Sequence, residues 1–201
     1  MLNSSAKENS LTSSLELKFV DESEFDQATS QLKKQVFREC LAVANHLLYS
    51  EQELHQSEAN TARFAKLEAI YCLLMLNGKC IGWHYGHQDG PTSYYMCNSA
   101  VLPEYRRQGC YSWLAQKVME EVTRRGYLRI KSRHYPTNNP VIIAKLKLGF
   151  VVTGLQLSAN FGTLLELEWH VNQGMTDLMK FRCGETLPSE SALKSLGLTR
   201  S

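Results

Sequence analysis

The sequence predicts an α/β fold, a mixed and mostly antiparallel sheet with flanking helices. Three observations predict it. Between residues 69 and 102, three apolar or aromatic runs are separated by tight-turn residues. Between residues 110 and 150, two stretches with helical spacing of apolar residues enclose an alternating run. Between residues 151 and 170, a last pair of alternating runs brackets Asn160-Phe161-Gly162. Alternation with period two marks a half-buried strand, and recurrence at i, i+3 and i+4 marks a helix.

Composition agrees with one globular domain. The chain has 201 residues, of which 43% are apolar and 21% charged, enough for a sizeable core. A net charge of +2 gives no global attraction to nucleic acid or to a membrane. No apolar run reaches the length of a membrane-spanning helix, and Met1–Glu8 lacks the apolar centre of a signal peptide. The six cysteines are scattered, without a Cys-x-x-Cys pair. They read as free thiols of a reducing cytoplasm, not as a disulfide frame or a metal site.

In chain order, residues 1–14 are polar and serine-rich and read as a mobile tail. Leu15–Val20 alternates as a first strand. Asp21 or Ser23 caps a helix beginning near Phe25 and carrying Leu32, Val36, Phe37, Cys40, Leu41 and Ala44 on its core stripe. A second, polar helix covers residues 51–66. Ala69–Leu76 is a strand, Asn77-Gly78 a hairpin turn and Cys80–His87 the returning strand. Asp89-Gly90-Pro91 turns the chain again into the strand Tyr94–Leu102. Pro103 closes that strand, where a missing N–H is tolerated.

Past Gly126, residues 127–133 set Leu128 and Ile130 on one strand face against Tyr127, Arg129, Lys131 and Arg133. That basic face reads as solvated or salt-bridged in preference to a cleft wall for an acidic acceptor or a cofactor phosphate. Pro136 ends the strand. Asn138 or Asn139 caps the next helix, with Pro140 in its first turn. Residues 151–157 and 163–170 form a closing hairpin, 174–183 a short helix, and the remainder is polar and weakly patterned.

The chemistry concentrates between Tyr94 and Gly126. Glu104-Tyr105-Arg106-Arg107-Gln108-Gly109-Cys110 links a strand to a helix that carries Tyr111, Leu114, Val118 and Val122 at helical spacing. Arg124 and Arg125 suit its C-terminal dipole, and Gly126 ends it. Free N–H groups at the helix start, the dipole and two guanidinium groups all favour an anion, most naturally a phosphate. The plain alternative is an ordinary strand-to-helix turn with solvated arginines. The stretch is neither Gly-x-x-x-x-Gly-Lys-Ser/Thr nor Gly-x-Gly-x-x-Gly.

Residues 101–111, Val-Leu-Pro-Glu-Tyr-Arg-Arg-Gln-Gly-Cys-Tyr, resemble the acetyl-CoA motif of the GNAT family of N-acetyltransferases. That family carries Gln/Arg-x-x-Gly-x-Gly/Ala between a strand and a helix. The match falls on Arg106 and Gly109, and Tyr111 stands where the family has Gly or Ala. Downstream, residues 138–150 are similar to the family's helix that ends in Gly-Phe. Asn138 keeps the Asn at its start. Lys145 stands where the family has a Tyr that often protonates the leaving thiolate.

The resemblance covers roughly residues 15–170. It implies an acyltransferase domain at 15–172, a C-terminal extension at 173–201, and a sheet with a splayed central strand pair. It implies acetyl-CoA as cosubstrate, held by Ala100, Val101, Leu102, Arg106, Arg107, Gln108, Gly109, Cys110, Tyr111, Ser112, Asn138 and Asn139. The implied reaction moves the acetyl group to a primary amine of a small molecule or peptide by direct attack in a ternary complex. The first two helices would flank the acceptor cleft.

Such a transfer needs a neutral amine, donors for the developing oxyanion and a proton for the thiolate. Backbone N–H groups can meet the second need, and the resemblance implies that one of them comes from the splayed strand around Ala100–Leu102. His134 is the candidate base and Tyr111 the candidate acid. His84, His87 and Asp89 are further candidate bases, Tyr94 and Tyr95 further phenols, and water can relay the proton. Lys145 and Lys147 are expected on the exposed side of their helix.

A hydrolase is disfavoured by the lack of a Gly-x-Ser-x-Gly elbow, and a metalloenzyme by the lack of His-Glu-x-x-His. No metal is expected. The rival reading is a catalytically weak acyl-CoA-binding sensor or scaffold, motivated by Tyr111 and Lys145. A nucleic-acid module on the basic run 124–133 is opposed by the near-neutral total charge. The C-terminal extension offers a surface for a homodimer.

Overall fold

The computed structural model describes residues 11–37, 49–64, 67–184, 189–195 and 197. The first ten residues and positions 40, 41 and 44 of the expected first helix lie outside the described residues. Seven strands form one sheet in the order β1-β2-β3-β4-β5-β7-β6. They are β1 (Leu15–Val20), β2 (Ala69–Leu76), β3 (Lys79–Gln88), β4 (Ser93–Val101), β5 (Arg129–His134), β6 (Val151–Ser158) and β7 (Gly162–His170). β1–β2, β2–β3, β5–β7 and β6–β7 pair antiparallel, and β4–β5 pairs parallel. Among the described residues the helices are α1 (Glu22–Val36), α2 (Glu51–Phe64), α3 (Cys110–Arg124), α4 (Asn139–Lys147), α5 (Gln173–Arg182) and α6 (Glu190–Ser195), with a 3-10 turn at Pro103–Tyr105. The chain divides into two compact units, residues 1–88 with 98–110, and residues 89–97 with 111–201.

In the first unit, α1 starts at Glu22, earlier than the expected Phe25. Asp21 Oδ1 accepts the N–H of Glu24 at 2.8 Å, so the cap sits directly before Glu22. Ser50 and Glu53 form a reciprocal capping box for α2, with Ser50 N–H donating to Glu53 Oε2 at 2.8 Å and an exposed, polar helix following. Asn77 and Gly78 adopt φ of 49° and 78°, the left-handed pair that a two-residue hairpin requires. The core gathers Phe25, Leu73, Trp83, Ala100 and Leu102. Trp83 is fully buried, and its indole N–H donates to Asn98 Oδ1 at 2.8 Å, so the ring enters the core without an unmet donor.

In the second unit, α3 buries Leu114, Ala115, Val118 and Val122 as one apolar stripe. Gly126 ends it at φ 90°. β5 begins at Arg129, two residues later than the alternation predicts. Tyr127 N–H still bonds Val122 O at 3.3 Å, and its ring packs on Tyr94 with centroids 5.7 Å apart. Tyr127 is therefore buried and Leu128 is 56% exposed, the reverse of the expected facing.

The basic face of β5 is salt-bridged. Arg129 pairs with Glu168 at 3.7 Å, Lys131 with Asp89 at 2.9 Å and Arg133 with Glu166 at 3.2 Å. On α3, the guanidinium groups of Arg124 and then Arg125 hold the carboxyl of Glu121 down at about 2. This stabilisation is complete above the ordinary carboxylate range and is lost as pH falls through about 2. Glu121→Gln is expected to destabilise the protein by about 1 kcal/mol at pH 7 after allowance for solvent screening. Urea unfolding should show that difference shrink towards zero near pH 2.

Candidate active site

The turn between β4 and α3 is braced from within. Arg106 is exposed, yet its Nε donates to Val101 O at 3.0 Å. Gln108 Nε2 donates to Glu104 O at 2.9 Å, and Lys79 Nζ donates to Tyr105 Oη at 3.2 Å. These bonds support a strained backbone. Arg107 has φ 58° and Gly109 φ 80°, two left-handed residues that flank one that is not. A left-handed conformation costs a non-glycine residue about 1–2 kcal/mol. Alternating handedness aims successive N–H groups into one concavity, the geometry of an anion nest. The start of α3 follows directly, so dipole and nest act on the same place.

At the end of β4, Ala100, Val101 and Leu102 are buried. Leu102 N–H donates to Ile81 O at 2.9 Å, so it is engaged within the fold. β3 can run this close because residue 82 is glycine. A Cβ there would lie 2.5 Å from Ala100 O. On α3, Cys110 is buried, and Tyr111 and Ser112 are half-buried. Burial raises both the Cys110 thiol and the Tyr111 phenol above their ordinary values, so both stay protonated at neutral pH.

The candidate bases are dispersed. His84 is fully buried with Nδ1 2.7 Å from Ser99 Oγ. His87 Nδ1 lies 2.9 Å from Gln88 O. Asp89 is paired with Lys131. His134, at the end of β5, is half-buried with Nε2 3.2 Å from Ser132 Oγ. Burial first, and then the charge of Lys145, pull its pKa down to about 4. It is therefore a neutral imidazole at physiological pH.

Lys145 departs from expectation most. It is 1% exposed, whereas Lys147 is exposed as expected. Its Nζ donates to Met96 Sδ at 2.7 Å and stands 4.2 Å from the centroid of the Phe150 ring. Burial lowers its pKa to about 7. The signal was in the helix register. Val141, Ile142 and Leu148, at three or four residues from Lys145, are half-buried, while Ile143 and Leu146 are exposed. Asn138 precedes α4 as expected, but its side chain makes no capping bond, and Asn138 and Asn139 are both exposed.

β4 and β5 pair only briefly. The ladder covers Ser93–Tyr95 against Arg129–Lys131, while β4 runs to Val101 and β5 to His134. Met96 is the first β4 residue past the ladder. A parallel pair that ends while both strands continue is the local form of a splayed strand pair. With this pair, the mostly antiparallel sheet and the nest at the start of α3 in place, the profile of the acetyltransferase (GNAT) family matches residues 35–150. The chain belongs to the GNAT family.

Solved structures of GNAT proteins share its fold at low sequence identity. A ribosomal alpha-N-protein acetyltransferase, RimL, in complex with coenzyme A has a TM-score of 0.59 and 17% identity over 80% of this chain and 96% of its own. The ribosomal-protein-alanine N-acetyltransferase of Brucella melitensis has a TM-score of 0.56 and 19% identity over 78% and 99%. The yncA protein of Salmonella typhimurium, solved with its cofactor acetyl-CoA, has a TM-score of 0.56 and 16% identity over 79% and 94%. Among curated proteins none matches significantly.

The GNAT cosubstrate, acetyl-CoA, fits the residues present. The nest at Arg107–Gly109 and the start of α3 have the chemistry for its pyrophosphate. Among the described residues no His, Cys, Asp or Glu group could hold a metal ion, and no helix is long and apolar enough to cross a membrane.

Proposed function

We propose that this GNAT protein transfers an acetyl group from acetyl-CoA to a primary amine by direct attack in a ternary complex. The observation that carries the reading is the turn itself. Two left-handed residues held by side-chain bonds feed a helix start, an arrangement that favours an anion. Arg106, which bonds Val101, acts through bracing, and Arg107, Gln108, Gly109, Cys110 and Ser112 form the pyrophosphate rim. Ala100 and Val101, with Asn138 and Asn139, are the further residues assigned to the cofactor in this reading. Tyr111 lines the same helix start.

The chemistry follows from the electrostatics. A neutral amine attacks the thioester carbon, and backbone N–H groups at the end of β4 receive the developing oxyanion. His134, neutral above about pH 4, has a lone pair free to accept a proton and is the base in this reading. Tyr111 remains a protonated phenol. The five described cysteines are free thiols, which supports a cytoplasmic setting.

The first test is thermal melting with acetyl-CoA, CoA, ATP and NAD in parallel. A hundredfold excess over Kd should stabilise the protein by about 2.7 kcal/mol with the two coenzyme A ligands alone. Gly109→Ala should lose about 1 kcal/mol through left-handed strain and most of that ligand shift. Release of free CoA should then be followed across a panel of small amines and peptides with free N-termini. Tight cofactor binding with no turnover on any acceptor would favour the sensor reading instead.

A further inference from the structure

The two edge strands of the sheet are built differently. β1 carries Glu16 and Lys18, both exposed, and charges of this kind blunt unwanted pairing at an edge. β6, the other edge, reads Val-Val-Thr-Gly-Leu-Gln-Leu-Ser, without a charge or a proline. Its inner side pairs with β7. Among the described residues no strand pairs with its outer side, so a row of backbone donors and acceptors stands open there.

The side chains of this edge are apolar where they are most exposed. Leu155 is 69% and Leu157 82% exposed. They lie two residues apart, past the bulge between Val152 and Gly154, and so share one face. Val152 and, in the turn after β6, Phe161 are exposed as well. Large apolar side chains along an open, uncharged strand are a liability unless another strand covers them.

We propose that a second copy of this chain covers it, adding its own β6 antiparallel to the first about a two-fold axis at Gln156. Two-fold pairing of identical strands sets residue i against j and j against i. Opposed residues share a face of the sheet, so the axis must fall on a residue. At Gln156 it sets Leu155 against the second copy's Leu157, twice, and Gly154 against Ser158. Past the ladder it brings Phe161 of one copy to the start of β6 in the other, where Val152 is exposed. Each exposed large apolar residue of the β6–β7 hairpin then meets another. With the axis one residue earlier, Leu157 would face Thr153; one residue later, Leu155 would face Ala159. Gln156, which meets itself, is uncharged.

Charge favours this occupant over a different protein. β6 has no charge with which to select a partner of opposite sign, and none with which to repel its own copy. Apolar cross-strand pairs stabilise a sheet, and symmetry forms each of them twice. The second copy thus docks on β6 and not on the C-terminal extension. This assembly does not depend on acetyl transfer.

Sedimentation equilibrium of the full chain between about 1 and 100 µM tests it. The wild type should sediment at twice the chain mass. Leu157→Lys buries a lysine against the second copy's Leu155 on both sides of the axis and should weaken association about 100-fold. Because Leu157 is exposed in the single chain, the variant should fold and melt with dilute wild type. Leu155→Lys should act in the same way. Mild oxidation reads the register, with the wild type supplying the background of its own cysteines. Gln156→Cys meets its copy at about 5 Å between Cα atoms, within disulfide reach, and should cross-link into a covalent dimer. Ser158→Cys stands about 14 Å from its copy along the strands and should not. A wild type still monomeric at about 100 µM, association unchanged in both lysine variants, or cross-linking of Ser158→Cys in preference to Gln156→Cys overturns the assignment.

Discussion

Stability of the wild type towards urea, measured relative to Lys145→Met, is expected to rise by about 3 kcal/mol between pH 7 and pH 9.5. Burial holds Lys145 near 7 in the fold, against 10.5 for an ordinary lysine. Between those values the unfolded chain binds a proton that the native protein does not. Raising the pH disfavours the proton-bound unfolded state and so favours folding. His134 contributes nothing in this window, because it is already neutral in both states above its ordinary value of 6.5. Its own effect lies lower, where stability falls as pH drops from about 6.5 to about 4. Lys145→Met should also be more stable than the wild type at pH 7 by about 1–4 kcal/mol, as for other buried charges replaced by apolar groups of similar length. Parallel slopes for the two proteins between pH 7 and 9.5 would show that water reaches the ammonium.

Gly82→Ala is expected to destabilise the protein by about 3 kcal/mol, and Gly82→Val by more. A Cβ at residue 82 would stand 2.5 Å from Ala100 O and 3.3 Å from Val101 Cα. Both are backbone atoms, so no side-chain rotation relieves the clash. Strand β3 would have to move away from the end of β4, breaking the Leu102 N–H to Ile81 O bond of 2.9 Å. A loss of that size lowers Tm by about 6–12 °C in a chain of this length. The thermal shift with CoA should shrink as well, because the displaced backbone is the stretch assigned to the cofactor arm. Gly82→Ala melting with the wild type would mean that the strands stand further apart than described.

Most of the architecture was legible in local patterns. Asn77-Gly78, Gly126, the apolar run of residues 69–76 and the alternation of residues 163–170 each act through short-range sterics or strand burial, which a sequence displays directly. The misreadings share a different cause. The facing of Tyr127 and Leu128 depended on where β5 begins, and that is decided by Tyr127 bonding back to Val122. Lys145 was read as exposed from its charge alone, against the register of its own helix. Arg106 is expected either at an anion or in solvent, and its Nε also closes on Val101 O five residues away. Contacts of this kind carry no periodic signature, and they are where the candidate site departs from the pattern.

The ion pairs along β5 have a kinetic consequence. Arg129, Lys131 and Arg133 each meet a carboxylate within 4 Å, so positive and negative potentials cancel within a short distance of the sheet. Such a surface does not gather counter-ions from solution, and it does not accelerate the approach of an acidic acceptor. Electrostatic steering is what makes encounter rates fall steeply with ionic strength. Without it, an acidic ligand should approach this face at the same rate in dilute buffer and in physiological salt.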